Sequence, residues 1–183
     1  MHLHAVVARQ DILEAMTGIA LVIDRELRVV AGGWRNWRAF WRANGGVGPA
    51  PAMCGQDLTL GFSAGAVRSG FRAALTALAA GERGPLRLPF RCDAPGLQRD
   101  MLLSVTRCGT AHMLYHAMPL TEKPRPVPLT NTGSAPQCCA VCGRAAPGQP
   151  DPLDWTEPSV TTICLPTHEV CPRCTLLLMA QPA

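Results

Sequence analysis

Two Cys-x-x-Cys pairs in the last third of the chain have the residue types and spacing of a metal site. Cys139 and Cys142 form the first pair, and Cys171 and Cys174 form the second. Each pair can direct two thiolates at one ion, and two pairs together supply the four sulfur ligands of a tetrahedral zinc site. A catalytic zinc keeps one coordination position open, whereas four thiolates fill it. We therefore predict one structural Zn²⁺ on these four cysteines.

The segment between the two pairs, residues 143–170, is 28 residues long, which exceeds the usual spacing of about 15 to 20 residues. We expect it to form a substructure of its own. Two other interpretations of the cysteines stay open, namely unligated thiols and a thiol–disulfide switch. Cys138 and Cys164 lie near the predicted site, either as bystanders or as replacement ligands under oxidation. His168 can replace one sulfur or donate a hydrogen bond to a thiolate.

Length and composition indicate one domain with a small appendage. The chain has 183 residues, and single domains typically have about 100 to 150. No unbroken apolar run is longer than that of residues 19–23, which is far below the roughly 20 residues of a membrane span, and the first residues lack a secretory signal pattern. We therefore expect a cytoplasmic protein without a membrane segment. Six of the nine cysteines cluster within residues 138–174, which suits metal ligation in a reducing compartment. The other three, Cys54, Cys92 and Cys108, are expected to be small core residues.

The net charge of +4 is spread unevenly along the chain. Residues 1–120 contain 13 arginines against 8 acidic residues, and residues 121–183 contain 4 basic against 5 acidic residues. A mild, dispersed excess is typical of a solvated surface rather than of a nucleic-acid footprint. Nucleic acid is therefore not the favoured partner.

Hydrophobic periodicity predicts three helices and five strands. In chain order these are a helix at about 10–17, strands at 19–23 and 27–31, a helix from Trp34 to Asn44-Gly45-Gly46, a helix at about 63–80, and strands at 86–92, 100–107 and 111–118. Two strands, helices and three strands predict an α+β domain with an antiparallel sheet covered by helices on one face.

Individual residues within these elements carry further expectations. Asp11 is predicted to cap the first helix with Glu14 as its third residue. The spacing of Trp34, Trp37 and Trp41 predicts an amphipathic packing helix. The last strand places two histidines on the same side as Leu114 and Met118, which favours core or interface histidines over catalytic ones; these are His112 and His116. The chain contains no phosphate-binding glycine loop, nucleophile elbow, kinase signature or cyclase signature, so we expect no enzymatic activity.

Three stretches of the first part resemble one branch of the PAS domain family. Residues 21–30 are similar to its opening hairpin, residues 37–45 to the helix after it, and residues 90–99 to a Cys-Asp-x-Pro…Arg hairpin of bacterial sensory PAS domains. The last of these continues into a strand that ends with Thr121-Glu122, and Asp100 stands where an aromatic residue is common. The resemblance implies a PAS-like five-stranded antiparallel sheet in residues 1–120.

The same resemblance bears on ligands and on association. Haem-binding PAS domains commonly use a histidine on the long helix, and residues 63–80 contain none; the Asn-Cys-Arg-Phe motif of covalent flavin sensors is also absent. Haem and covalent flavin are therefore disfavoured, and any ligand is expected to be a small molecule in an apolar pocket. PAS domains often dimerise through an N-terminal helix, so the apolar strip of Ile12, Leu13 and Met16 implies a weak homodimer.

The end of the chain resembles a small four-cysteine tail found on bacterial signalling proteins. Residues 139–174 contain its two cysteine pairs, Trp155, Glu157 and the His-x-x-Cys-Pro-x-Cys ending, while the basic residues that often follow the first pair are replaced by residues 143–146. Proline and small polar residues before it predict a linker at 121–137, which leaves a zinc-ribbon-like module at 138–183.

Together these features favour a signalling adaptor. Its PAS-like domain would sense a ligand or partner, and its zinc module would dock on a signalling protein such as a sensor kinase or response regulator. A first alternative is a DNA-binding regulator that uses the four-cysteine module with Arg35, Arg38 and Arg42 as phosphate contacts. A second is a redox sensor in which oxidation ejects zinc.

Overall fold

A five-stranded antiparallel sheet forms the centre of the molecule, with strand order β2-β1-β5-β4-β3. The computed structural model describes residues 10–61, 66–92, 94, 96–124, 137–138 and 165–166. Its elements are α1 (residues 10–15), β1 (Ile19–Asp24), β2 (Val29–Gly32), α2 (Trp34–Ala43), a short 3-10 helix (Leu58–Gly61), α3 (Ala66–Ala80), β3 (Leu86–Arg91), β4 (Leu97–Cys108), β5 (His112–Pro124), β6 (Gln137–Cys138) and β7 (Leu165–Pro166). The element order and the antiparallel sheet agree with the predicted α+β class.

The hydrophobic core lies on one face of this sheet. Side chains alternate between the faces of a strand, and alternate residues of β1, β4 and β5 are buried: Ile19, Leu21, Ile23, Met101, Leu103, Val105, Met113 and Ala117. Helix α3 covers them with Phe71, Leu75 and Leu78. Trp34, Trp37 and Phe40 of α2 pack against the same cluster. Helices α2 and α3 therefore cover the same face of the sheet, as predicted, and the domain is PAS-like.

The β1–β2 hairpin contains a leucine in a left-handed backbone conformation. Leu27 has φ of 65°, a conformation that residues other than glycine, asparagine and aspartate seldom adopt. The turn is closed by hydrogen bonds from the Arg28 backbone N–H to the Asp24 carboxylate, 2.8 Å, and from the Asp24 N–H to the Arg28 carbonyl, 3.0 Å. The Leu27 side chain is only 1% exposed within the core, so core burial holds the residue in this conformation.

Helix α3 ends where glycine permits the chain to reverse. Gly81 has φ of 83°, its N–H donates to the Leu78 carbonyl, and the Glu82 N–H donates to the Ala77 carbonyl. This left-handed C-terminal cap satisfies carbonyl groups that the helix leaves unpaired. The Arg107 guanidinium lies against Gly81, where a cation is favourable beside the negative end of the helix dipole.

The last two strands of the sheet are longer than predicted. Strand β4 begins at Leu97 rather than near 100, and β5 runs to Pro124 rather than ending at 118. The two extensions pair with each other, from Leu97 opposite Pro124 onward, so each supplies the backbone partners of the other. The first residues of the segment predicted as a linker are therefore strand.

Four predictions about individual residues are wrong. Residue 10 is already helical, so Asp11 lies inside α1 and is not its cap. Leu13 is 4% exposed and therefore does not belong to an exposed strip, because it is buried within its own chain. Cys54 and Cys108 are exposed rather than core residues, since Cys54 lies in a turn and Cys108 is the last residue of β4.

No helix in the part of the chain that the structure describes is long and apolar enough to cross a membrane.

Two short strands outside the sheet pair with each other. Gln137 of β6 lies opposite Leu165 of β7, and Cys138 lies opposite Pro166, in parallel orientation. The residue just before the first Cys-x-x-Cys pair therefore lies beside a segment that ends five residues before Cys171.

Candidate functional site

A buried arginine occupies the junction of α2, β4 and the end of β5. Arg99 is only 4% exposed, and a buried cation is costly unless it is paired and hydrogen-bonded. It lies in β4 directly opposite Glu122 of β5. The Arg99 Nε donates to Glu122 Oε1 at 2.6 Å. This ion pair is the clearest electrostatic feature of the described chain.

An extra residue in β5 makes the Arg99–Glu122 ion pair possible. Met101 pairs with Pro119, but the next pair is Asp100 with Thr121, so Leu120 is a β-bulge. Because side chains alternate along a strand, regular pairing of Leu120 would place the Glu122 carboxylate on the face away from the helices. A bulge re-aims the residues beyond it, and here it places Glu122 on the helix-covered side beside Arg99.

Helix α2 contacts the same guanidinium from the other side. The Arg99 Cζ lies 5.3 Å from the centroid of the Phe40 ring, in the geometry of a cation–π contact. Longer hydrogen bonds of 3.5 and 3.4 Å run from Arg99 Nη1 to the Asn44 side-chain oxygen and to the Cys92 carbonyl. Asn44 also caps α2 by donating to the Phe40 carbonyl. Arg99 therefore lies near the C-terminal end of α2, where the helix dipole favours a cation.

A second cross-strand pair holds the same end of β5. The Thr121 hydroxyl donates to the Asp100 carboxylate at 2.6 Å. The residue that departs from the family pattern thus lies at the bulge and accepts this hydrogen bond. Two neighbouring pairs, one on each face, fix the strand through which the chain leaves the sheet.

A separate polar cluster anchors the short 3-10 helix to α3. The Asp57 carboxylate accepts hydrogen bonds from the backbone N–H and the hydroxyl of Thr59, at 2.8 and 2.7 Å, and pairs with Arg72. Burial acts to raise the pKa of Asp57, but the Thr59 hydrogen bonds and the Arg72 charge outweigh it, so the pKa lies below its ordinary value of 3.8. Thr59 is fully buried. This cluster stabilises the fold.

Both predicted histidines have the expected facing on β5. His112 pairs with Asp24 and His116 with Ala20, and the intervening Leu114 pairs with Val22. The His116 Nε2 donates to the Thr17 carbonyl at 2.8 Å. The bond ties the start of β1 to the sheet, as expected for a structural histidine.

The four predicted zinc ligands, Cys139, Cys142, Cys171 and Cys174, lie outside the described residues, as do Cys164 and His168. Among the residues that are described, no group of three or more histidine, cysteine, aspartate or glutamate side chains could hold a metal ion. The zinc site therefore stays a prediction.

Sequence reasoning missed the Arg99–Glu122 pair although both residues lay in stretches that it had singled out. Arg99 ends the third stretch of family resemblance, and Glu122 ends the strand that follows it. Their opposite charges were visible, but an alternating pattern counted from Met118 places Glu122 on the wrong face. The bulge at Leu120 was the missing information.

Comparisons with known proteins found solved structures that are similar to this chain. No family model matches the chain, and no curated protein matches it. The chain is similar to the structure of the PAS domain from Bordetella pertussis BvgS, with a TM-score of 0.48 and 16% identity over 66% of this chain and 89% of that one. It is also similar to the Cronobacter turicensis RpfR quorum-sensing receptor PAS domain in complex with C12:0, with a TM-score of 0.40 and 15% identity over 58% of this chain and 96% of that one. The description of the domain as PAS-like rests on its own element order and sheet.

Proposed function

We propose that this chain is a bacterial signalling adaptor with a sensory PAS-like domain and a structural zinc module, and that it docks on a signalling protein such as a sensor kinase or response regulator. The observation that carries the proposal is the Arg99–Glu122 ion pair, because it connects α2 with the end of β5. The proposal assigns the chain no catalytic step of its own and places it in the cytoplasm.

The geometry of the ion pair explains how a change at α2 would reach the exit strand. Phe40 and Asn44 contact the guanidinium from α2, and Glu122 holds it from β5. A shift of α2 changes the environment of a charge that cannot be left unpaired, since an unsatisfied buried charged group costs about 1 to 3 kcal/mol or more. Glu122 is 47% exposed, so its carboxylate has water as an alternative partner and can separate from Arg99.

The pairing of β6 with β7 supports the zinc module. Cys138 lies opposite Pro166, so the first cysteine pair begins one residue beyond the ladder and the second begins five residues beyond it. Five residues span at most about 17 Å, so a folded path over this distance would allow both pairs to reach one ion. We propose Cys139, Cys142, Cys171 and Cys174 as its ligands, with the module as the docking surface.

A capture experiment with matched variants tests the adaptor function. The tagged full chain is crosslinked in its source cells, captured proteins are identified by mass spectrometry, and binding is repeated with the purified candidate. We expect the native chain and Glu26→Gln, which changes an exposed acid in the β1–β2 turn, to capture the same sensor kinase or response regulator. Cys171→Ser should lose it, and Glu122→Gln should change the bound amount several-fold with unchanged zinc content.

Two results would count against the adaptor. Failure to recover any signalling protein that rebinds in purified form removes the proposed partner class. Equal binding by Glu122→Gln and the native chain, with equal melting temperatures, removes the role of the Arg99–Glu122 pair. DNA binding predicts instead a mobility shift that weakens steeply with salt; one of its three candidate arginines, Arg35, already pairs with Glu14.

A further inference from the structure

An open pocket lies between α2 and the segment that follows it. Its volume is about 230 Å³, and it is lined by Trp34, Trp37, Arg38, Ala50, Pro51, Ala52, Met53 and Cys54. Residues three and four apart share a helix face, so Trp34, Trp37 and Arg38 all border the pocket. None of these residues is among the named contacts of Arg99.

Hydrogen bonds and close packing hold the pocket walls in place. The Trp37 Nε1–H donates to the Pro51 carbonyl at 3.0 Å, which fixes the segment to the helix. The Gly55 N–H donates to the Val29 carbonyl at 2.7 Å, which fixes the end of the same segment to β2. Trp34 lies so close to Gly32 that any Cβ there would meet its ring at 2.7 Å. The pocket is therefore formed before a ligand arrives, which lowers the cost of binding.

The chemistry of the lining is aromatic with one cation. Two indole rings and the Met53 thioether offer flat, polarizable surface, and Arg38 is the single charged residue among those that line the pocket. Arg38 is exposed at the rim and makes no hydrogen bond or ion pair with any residue that the structure describes. Its guanidinium is accordingly available to a carboxylate, which it can hold through two parallel hydrogen bonds.

We propose that this pocket binds a small aromatic carboxylate, with the ring between Trp34 and Trp37 and the carboxylate on Arg38. The volume selects the size, because pockets for drug-sized ligands have about 300 to 1,000 Å³, and this one has room for a single ring. Aromatic rings stack favourably in offset or edge-to-face geometry. The ion pair selects a carboxylate over a neutral or cationic group on the same ring.

The idea that an aromatic carboxylate is the signal sensed by this chain rests on the signalling role proposed above. The existence of the binding site does not depend on that role. If the ligand binds but does not change partner capture, the binding site is supported and its role in sensing is refuted. If the partner is captured but no ligand binds, the adaptor function is supported and the ligand site is refuted. The two proposals therefore fail in different experiments.

Titration of the full chain with sodium benzoate tests the site. Binding is followed by tryptophan fluorescence and by the indole N–H NMR signal of Trp37, assigned with Trp37→Phe. We expect a saturable change with benzoate, a weaker response to benzyl alcohol, and none to acetate or benzylamine. Arg38→Gln should raise the half-saturating concentration by roughly three- to tenfold, the range for a charge-assisted hydrogen bond at an exposed residue.

Two matched variants control for charge and for folding. Arg42→Gln removes an arginine from the same helix outside the pocket and should bind benzoate as the native chain does. Ala52→Leu adds a side chain to the pocket wall and should abolish binding while the melting temperature is retained. Absence of a saturable response, equal loss in both arginine variants, or unchanged binding by Arg38→Gln would each overturn the proposal.

Discussion

The carboxylate of Glu14 in α1 caps helix α2 through the backbone N–H of Arg35. The N–H lies 2.9 and 3.1 Å from the two carboxylate oxygens. The N-cap residue of α2 is Gly33, which provides no side-chain hydrogen bond. A carboxylate at a helix N-terminus is favourable because it satisfies free N–H groups and the helix dipole. Glu14 therefore supplies from another helix the cap that α2 lacks.

Replacing Glu14 should destabilise the domain by the value of a helix cap. Glu14→Ala removes the acceptor and is expected to lower the free energy of unfolding by about 0.5 to 2 kcal/mol. Glu14→Gln keeps an acceptor without the charge, and its free energy of unfolding should lie between those of the native chain and Glu14→Ala. Urea unfolding measures the effect, and Glu26→Ala, an exposed acid in the β1–β2 turn, is the control. Equal stability of Glu14→Ala and native protein would show that water caps α2 equally well.

Leu27 should reverse the usual order of alanine and glycine. Within a helix or strand glycine is worse than alanine by about 0.5 to 1 kcal/mol, but a left-handed conformation costs a residue with a Cβ about 1 to 3 kcal/mol. Both Leu27→Ala and Leu27→Gly lose core packing, by about 2 to 5 kcal/mol. We expect the glycine variant to be the more stable of the two by urea unfolding.

The same pair of substitutions at Leu21 provides the comparison for Leu27. Leu21 is also buried in the core, in β1, and it is not among the residues with positive φ. There the glycine variant should be the less stable one. The same ranking of the two variants at both positions would contradict the role assigned to the backbone at Leu27.

The Asp57 cluster predicts a dependence of stability on pH. The pKa of Asp57 is lower in the folded chain than its ordinary value of 3.8, so the ionised carboxylate favours folding. The contribution is complete above the unfolded pKa and is lost as the pH falls through the folded one. The stability difference between the native chain and Asp57→Asn should therefore be constant near neutral pH and shrink below about pH 4.

The strands and helices could be predicted because alternating or helical apolar patterns bury one face. The residues of β4 and β5 show where such patterns fail. Counting from Met118 assigns Glu122 to the outer face, and only the paired strand reveals the bulge at Leu120. In the same way, the apolar pattern of α1 does not indicate which side chain packs inside its own chain and which is left exposed. Leu13 is buried, whereas Ile12 is 64% exposed.

Self-association should depend on Ile12 rather than on Leu13. Burying an isoleucine in each of two subunits contributes about 1.5 to 3 kcal/mol per side chain before the cost of association, which suits a weak homodimer. Ile12→Glu should lower the average mass measured by light scattering at high concentration and leave the melting temperature unchanged. Leu13→Glu should instead lower the melting temperature. A native chain that is monomeric at every concentration would exclude the dimer.

One equivalent of zinc per chain is the outcome expected from the two cysteine pairs. Elemental analysis of purified protein should find it, and Cys171→Ser should lower the content well below one equivalent because three thiolates hold the ion more weakly than four. Cys54→Ser, which removes an exposed thiol of the PAS-like domain, is the matched control and should keep the metal. If the native protein takes up no zinc after reduction, the assignment of the two cysteine pairs as a zinc site is wrong.

Loss of zinc should unfold the module and leave the five-stranded sheet intact. Metal binding supplies the free energy of folding for small zinc modules, since their ligands are not assembled without the ion. The sheet, by contrast, closes its core with residues from Ile19 to Ala117 and ends its last strand at Pro124. Hydrogen exchange on Cys171→Ser should therefore show protection retained in β1, β4 and β5 and lost after residue 136. If the strands also lose protection, the core and the metal site form one cooperative unit, and the separation of the chain at the end of β5 is wrong.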